Sequence, residues 1–414
     1  MTTSPQTPGP APAAELPETM PWLGVSEHRA WLERGFSRVM EFANGPAGTC
    51  IRAEGGFHYP DADGRPMPGR HPQLFLTARM GYVAAYGVRR GVPGADALLD
   101  HALASLLGFH RDPAYDGWLS EPGTETPKSC YDHVHVALAA SAALIVGHPD
   151  APRLLDQVIE VIERRLWDEA TQTLRESFSR DWSVAEEYRG ANANMHGLEA
   201  FLALGEATGD PRWHRRGVAI AERLCHRAAR EHGWLLPEHY TADWQPLPDY
   251  HRDQPDHPFR PYGATLGHSL EWARFLLDLD ASPLLSRTEK PAWLREVASE
   301  LAARALQSWA ADGRDGLPYT VDWDGTVVSG LRLHWPVCEA IQATAQLGAV
   351  TGEPVWEGWY RRLWRYADRY FIDARGAWIN EIDAAGKPAG TVWPGRPDVY
   401  HAGGALLGPL RFAG

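Results

Sequence analysis

A short pattern returns six times along this chain, each time ahead of a longer stretch with helical apolar periodicity. Gly56-Phe57 opens GFHYPDADGRP, Gly117-Trp118 opens GWLSEPGTETP, and Thr173-Leu174 stands at the corresponding place in TLRESFSRDWS. Gly233-Trp234 opens GWLLPEHYTADWQP, Gly316-Leu317 opens GLPYTVDWDGT, and Gly376-Ala377-Trp378 leads GAWINEIDAAGKP. The intervals are 61, 56, 60, 83 and 60 residues, so one unit is repeated with an insertion in the fourth interval. Such fixed-period similarity marks a repeat architecture, in which each unit buries its apolar face only against its neighbours. Each unit reads as a brief ribbon, turned at sites such as Asp63-Gly64, Asp324-Gly325 and Ala385-Gly386, plus two helices. Six helical hairpins can close into a ring. The predicted fold class is all-α, an (α/α)6 barrel of six helical hairpins with short β-ribbons in the connecting loops.

A chain of 414 residues would ordinarily divide into two or three domains. Here the repeats run almost end to end with no Gly/Ser linker, so residues 21–414 are expected to form a single domain. Residues 1–20, rich in Pro, Ala and Thr, lack the basic start and apolar run of a secretion signal and are expected to be a disordered tail. The net charge of −13, without a basic cluster, argues against nucleic acid as a partner. No segment is long and apolar enough to suggest a membrane span. Four scattered cysteines (Cys50, Cys130, Cys225, Cys338) without paired spacing fit reduced thiols and a cytoplasmic location. The 18 Trp and 14 Tyr are expected mostly in the core, and such rings, apolar on the face and polar at the tip, also suit surfaces that stack on sugars.

Helices are expected near 26–42, 73–90, 95–109, 128–146, 151–166, 191–208, 211–231, 264–279, 290–311, 332–350, 354–371 and 399–409, two per repeat. In concentric rings the inner helices, covered on both sides, should be the more apolar and richer in Ala, as in Val136–Leu144 and Leu198–Ala203.

The polar residues that open these apolar helices carry the functional signal. Thr77-Ala78-Arg79, Tyr131-Asp132-His133, Asn192-Ala193-Asn194-Met195-His196, Gly267-His268-Ser269-Leu270-Glu271, His334-Trp335 and Tyr400-His401 occupy equivalent places in successive repeats. In a closed ring equivalent places face one centre, where helix N-termini add partial positive charge suited to an anionic transition state. One histidine at a helix start is ordinarily a cap; His196, His268 and His401 in one register point to a shared site. Glu271 follows His268 by three residues, a spacing that lets a carboxylate orient an imidazole on the same helix face. His133 and His135 are two apart, which on a helix points them in different directions and argues against a zinc site.

At these residues the chain acquires a family resemblance. The segments RGANANMHGLEAFLAL, FRPYGATLGHSLEWARFLL and TVWPGRPDVYHAGGALL resemble the N-acylglucosamine 2-epimerase superfamily, most closely its mannose isomerase and sulfoquinovose isomerase branch. The resemblance implies an (α/α)6 barrel and cofactor-free interconversion of aldose and ketose, D-mannose to D-fructose above all, or of C2 epimers, through an enediol. It makes Arg79 the active-site arginine, Tyr131 and His196 sugar-contacting and ring-opening residues, His268 with Glu271 one acid/base unit and His401 the other. Asn194, Arg260 and Trp335 fall in family-like segments as substrate-binding candidates, and no metal is implied. The partner is a free monosaccharide; oligomeric state is not legible.

The chemistry agrees. Moving a carbonyl between C1 and C2 needs a base near neutral pH, for which imidazole is suited, and a fixed cation for the enediolate, for which Arg79 is suited. Epimerisation needs the same groups on both faces of C2, so the residues separate the two outcomes poorly. A glycoside hydrolase on the same barrel would need two carboxylates; Asp132, Glu238 and Glu339 are available, but the register is dominated by His, Asn and Arg. A non-catalytic sugar-binding protein would keep the aromatics and lose the bases.

Overall fold

The computed structural model describes Leu16, residues 20–45 and residues 50–413. The expected tail 1–20 lies outside these residues apart from Leu16 and Met20. Twelve α-helices are present among the described residues: α1 (Ser26–Asn44), α2 (Leu74–Arg89), α3 (Ala95–Leu107), α4 (Cys130–Ile145), α5 (Ala151–Val161), α6 (Ala191–Thr208), α7 (Pro211–Ala221), α8 (Leu266–Ala281), α9 (Leu294–Gln307), α10 (His334–Thr351), α11 (Pro354–Tyr370) and α12 (Tyr400–Leu407). They match the expected twelve in place, with α5 and α7 continued by π-helical turns at Ile162–Leu166 and Glu222–Ala229.

The even-numbered helices form the inner ring. Each packs on the next, and α12 packs back on α2 to close an (α/α)6 barrel. The sequence dictates the sorting. In α4 every residue from Val134 to Ala143 is buried, so no side could face water. Outer helices bury one stripe only: Leu154, Leu155, Val158 and Val161 in α5, and Trp356, Tyr360, Leu363, Trp364 and Ala367 in α11.

Short strands tie neighbouring repeats together at the N-terminal ends of the inner helices. Tyr188–Gly190, leading into α6, pairs antiparallel with His239–Thr241; Ala264–Thr265, leading into α8, pairs with Thr320–Val321; Arg332–Leu333, leading into α10, pairs with Glu381–Ile382. The ribbons thus reach across to the next repeat as well as turning within their own, which fixes the inner helix starts relative to one another. The surplus of the fourth interval falls in two loops, 242–263 before α8 and 282–293 between α8 and α9.

The repeated glycines have a backbone cause. Gly56, Gly117, Gly233, Gly316 and Gly376 all take positive φ, and in the third repeat Gln172 takes the same left-handed conformation at φ 55°. At Gly316 a Cβ would also fall 2.0 Å from the Tyr366 hydroxyl, whereas at Gly233 nothing lies within 4 Å. Gly233→Ala should therefore cost only the left-handed strain, about 1–2 kcal/mol. Gly316→Ala should cost clearly more; thermal melting of the two variants checks this, and equal shifts would contradict it.

Candidate functional site

The inner helix starts surround a cavity of about 860 Å³ including its open mouth. Arg79 (α2), Tyr131 (α4), His196 (α6), His268 and Glu271 (α8), Trp335 (α10) and His401 (α12) all line it. Seven of the nine residues singled out by sequence therefore meet in one place, each from the first two turns of an inner helix.

Each of the three histidines is held by a carboxylate at Nδ1. His196 lies 3.0 Å from Glu199 Oε2, His268 2.9 Å from Glu238 Oε1, and His401 2.8 Å from Glu339 Oε1. Where the carboxylate is ionised it only accepts, so Nδ1 then carries the hydrogen and Nε2 is left as the free basic nitrogen. Burial, reinforced by Arg79, drives His196 and His401 well below the usual imidazole range, so both are neutral near pH 7 and available as bases.

One expectation is corrected. Glu271 does not hold His268: that partner is Glu238, which precedes the strand His239–Thr241 and reaches α8 from the cross-repeat ribbon. Glu271 instead lies 3.9 Å from His196 Nδ1 and 3.9 Å from Arg274, with Oε1 buried and unbonded. Burial and then the nearby Glu339 raise its pKa well above the carboxylate range, which favours its neutral form. The three-residue spacing that misleads for His268–Glu271 is realised in His196–Glu199.

Asn194 and Arg260 do not line the cavity. Asn194, 0% exposed, accepts from Leu174 N at 2.8 Å and donates to the carbonyls of Leu174 and Gly190 at 3.1 Å, pinning a ribbon to α6. Its neighbour Asn192, two residues earlier, faces the cavity instead. Arg260 is consumed by Glu186 at 2.8 and 3.1 Å and by Glu176 at 3.4 Å, stacked on Tyr188. Those pairs anchor the long loop that carries Phe259 over the cavity, where its ring meets Trp393 edge to face at 5.2 Å.

Several supporting groups carry no sequence signal of their own. His135 Nδ1 donates to the Tyr131 carbonyl at 2.7 Å, which leaves Nε2 to accept from Arg79 Nε at 3.0 Å. Arg79 also donates to Tyr131 Oη at 2.9 Å and to Asp398 at 3.3 Å, and a second N–H remains on each terminal nitrogen. His133 is bonded elsewhere, to the Ser129 carbonyl and the Trp118 amide, so the two histidines share no ligand. Two groups of side chains bring possible metal donors within 4.8 Å of one another, His196 with Glu199 and Glu271, and Glu271 with Glu339 and His401. The Arg274 guanidinium already lies among these carboxylates, 3.2 Å from Glu339 and 3.8 Å from Glu199, and supplies cationic charge there. The Trp335 indole lies between two of the bases, its ring 5.1 Å from His268 and 5.7 Å from His401.

Nitrogen-15 NMR of the His268 ring tests the corrected pairing. Glu238→Ala should move its tautomer balance away from Nδ1–H, and Glu271→Gln should leave it unchanged. The opposite pattern would return His268 to Glu271.

Comparison with known proteins agrees with this geometry. The N-acylglucosamine 2-epimerase family pattern matches residues 55–405. The chain is 44% identical to a D-mannose isomerase of Thermobifida fusca over 397 residues, covering 94% of this chain and 96% of that one. It is 43% identical to a D-mannose isomerase of Pseudomonas cannabina pv. alisalensis over 394 residues, 94% of each chain. A crystal structure of a D-mannose isomerase superposes with a TM-score of 0.84 at 28% identity, covering 92% of this chain and 97% of that one. The chain belongs to the N-acylglucosamine 2-epimerase family.

Proposed function

We propose that residues 21–414 form a single catalytic domain that interconverts D-mannose and D-fructose by proton transfer through an enediolate, without metal or nucleotide. The observation that carries the reading is the set of three cavity-lining imidazoles, each tied at Nδ1 by a carboxylate, beside the buried Arg79 guanidinium. The names of the relatives at 43–44% identity favour isomerisation over C2 epimerisation and mannose over other aldoses. Glu238 and Glu339, the carboxylates a hydrolase would need free, are engaged with imidazoles. No described helix is long and apolar enough to cross a membrane, and the four free, buried cysteines support a reducing, cytoplasmic setting.

His196, backed by Glu199, assists opening of the sugar ring. Neutral His401 takes the C2 proton at Nε2. The C–H pair becomes the C1–C2 double bond, and the carbonyl pair moves onto O1, where the remaining Arg79 N–H groups hold the charge. His268 passes the O2 proton to O1, and His401 returns its proton to C1, leaving a ketone at C2. Base catalysis of this kind contributes about 10²–10⁴-fold. Trp335 offers its face to the sugar between the two bases.

D-mannose and D-fructose should interconvert in buffer containing EDTA at the same rate as without it. Loss of activity that a divalent cation restores would contradict the reading.

The histidines should separate by role. His401→Ala should abolish both isomerisation and exchange of the C2 proton with D2O, even on a sugar supplied in open-chain form. His196→Ala should lose activity on cyclic sugar and recover part of it on an open-chain analogue. Wild-type exchange in His401→Ala, followed by NMR, would move the base to His268.

A further inference from the structure

A fourth histidine sits in the same register, and the mechanism does not use it. His334 is the first residue of α10, 4% exposed, and its ring lines the cavity wall beside His401, ring centres 6.1 Å apart and edge to face. Its main-chain N–H is satisfied by the Asn380 carbonyl at 2.9 Å, but both ring nitrogens are buried with no partner. Its other ring neighbour is Trp378, at 6.3 Å, whose face offers no acceptor.

His196, His268 and His401 each have a carboxylate that fixes the tautomer and raises basicity; His334 has none. It therefore lacks the device that makes the others bases. Burial lowers it to about 4, so it is neutral near pH 7 and has no proton to give as an acid. A neutral imidazole still offers one N–H donor and one acceptor, and a nitrogen without a well-formed hydrogen bond can meet a hydroxyl presented to it. An apolar wall would be cheaper than a buried imidazole left without hydrogen bonds, so the ring is kept at a cost that a ligand can remove. The torsion about Cβ–Cγ is soft, and a rotation of the ring turns a nitrogen to the wall it already lines.

We propose that His334 is a substrate-binding residue that reads a sugar hydroxyl next to the reacting carbons, at C3 or C4, by accepting from or donating to it. This rests on the isomerase reading, with His401 working at C2, one ring away.

The test compares wild type and His334→Phe on D-mannose and its 3-deoxy, 4-deoxy and 6-deoxy derivatives. Phe keeps the aromatic packing and removes only the nitrogens, so the melting temperature should hold or rise. On D-mannose kcat/KM should fall about 10- to 100-fold, the scale of removing a hydrogen-bonding group from a site built around it. The loss should disappear on the 3-deoxy or 4-deoxy sugar and persist on the 6-deoxy sugar. Full activity of His334→Phe on D-mannose, or the same loss on all sugars, would overturn the proposal. If His334→Phe fails to fold, His334→Leu, which also removes both nitrogens, is read on the same panel with the same outcomes. Should wild type not turn over D-mannose, the isomerase reading fails by itself. His334 is then judged by calorimetry with D-mannose, where weaker binding by the variant supports the proposed hydrogen bond and equal binding overturns it.

Discussion

Arg274 is the ion on which the site is built. It lies half-buried on α8, 3.2 Å from Glu339, 3.8 Å from Glu199 and 3.9 Å from Glu271. Glu339 in turn holds His401, and Glu199 holds His196 and accepts from the Tyr400 hydroxyl. Three carboxylates so close together cannot all ionise against one guanidinium in a buried setting. Burial accordingly pushes Glu199 up to about 7 and Glu271 far above its ordinary range. One cation thus organises the carboxylates that orient two of the imidazoles, and burial favours the neutral form of the carboxyls left over. The charge under the cavity is set before a sugar arrives.

The barrel supplies the rest of that order. Inner helices covered over most of their surface place few ionisable groups along their length, and most of the polar residues that face the cavity gather near their starts, where ribbons from the next repeat lock the geometry. Glu238 shows what the ribbons add. It stands on the ribbon that opens its repeat and holds a histidine on the inner helix that follows, while the same ribbon pairs with the strand ahead of α6 in the repeat before. Arg79 is fixed in the same spirit by Tyr131 and His135 of α4 and by Asp398 just ahead of α12. Such over-determined side chains are what preorganised charge stabilisation requires.

The ring of twelve helices was legible because the period is regular and the Ala-rich stretches announce burial on both sides. The register of Arg79, Tyr131, His196, His268, Trp335 and His401 was legible for the same reason: equivalent positions in a closed ring must converge. Partner choice was not. Spacing on one helix places Glu199 and Glu271 equally well for the histidine three residues before each, and only the packing of a ribbon on α8 decides that Glu238 takes His268. Asn194 and Arg260 carry the right functional groups in the right segments. A polar side chain next to a site is as useful for satisfying backbone groups or carboxylates as for binding a ligand, and sequence does not distinguish those uses.

The central claim is that a neutral imidazole, held at Nδ1 by a carboxylate, moves the substrate proton as a proton. The most direct measurement uses D-mannose carrying deuterium at C2, converted in ordinary water, with the label located in D-fructose by NMR. Transfer through His401 predicts that deuterium is lost to solvent in part or in full, with a primary isotope effect on turnover when the label is present. Complete retention of deuterium at C1 under all conditions would show a direct hydride shift and contradict the account.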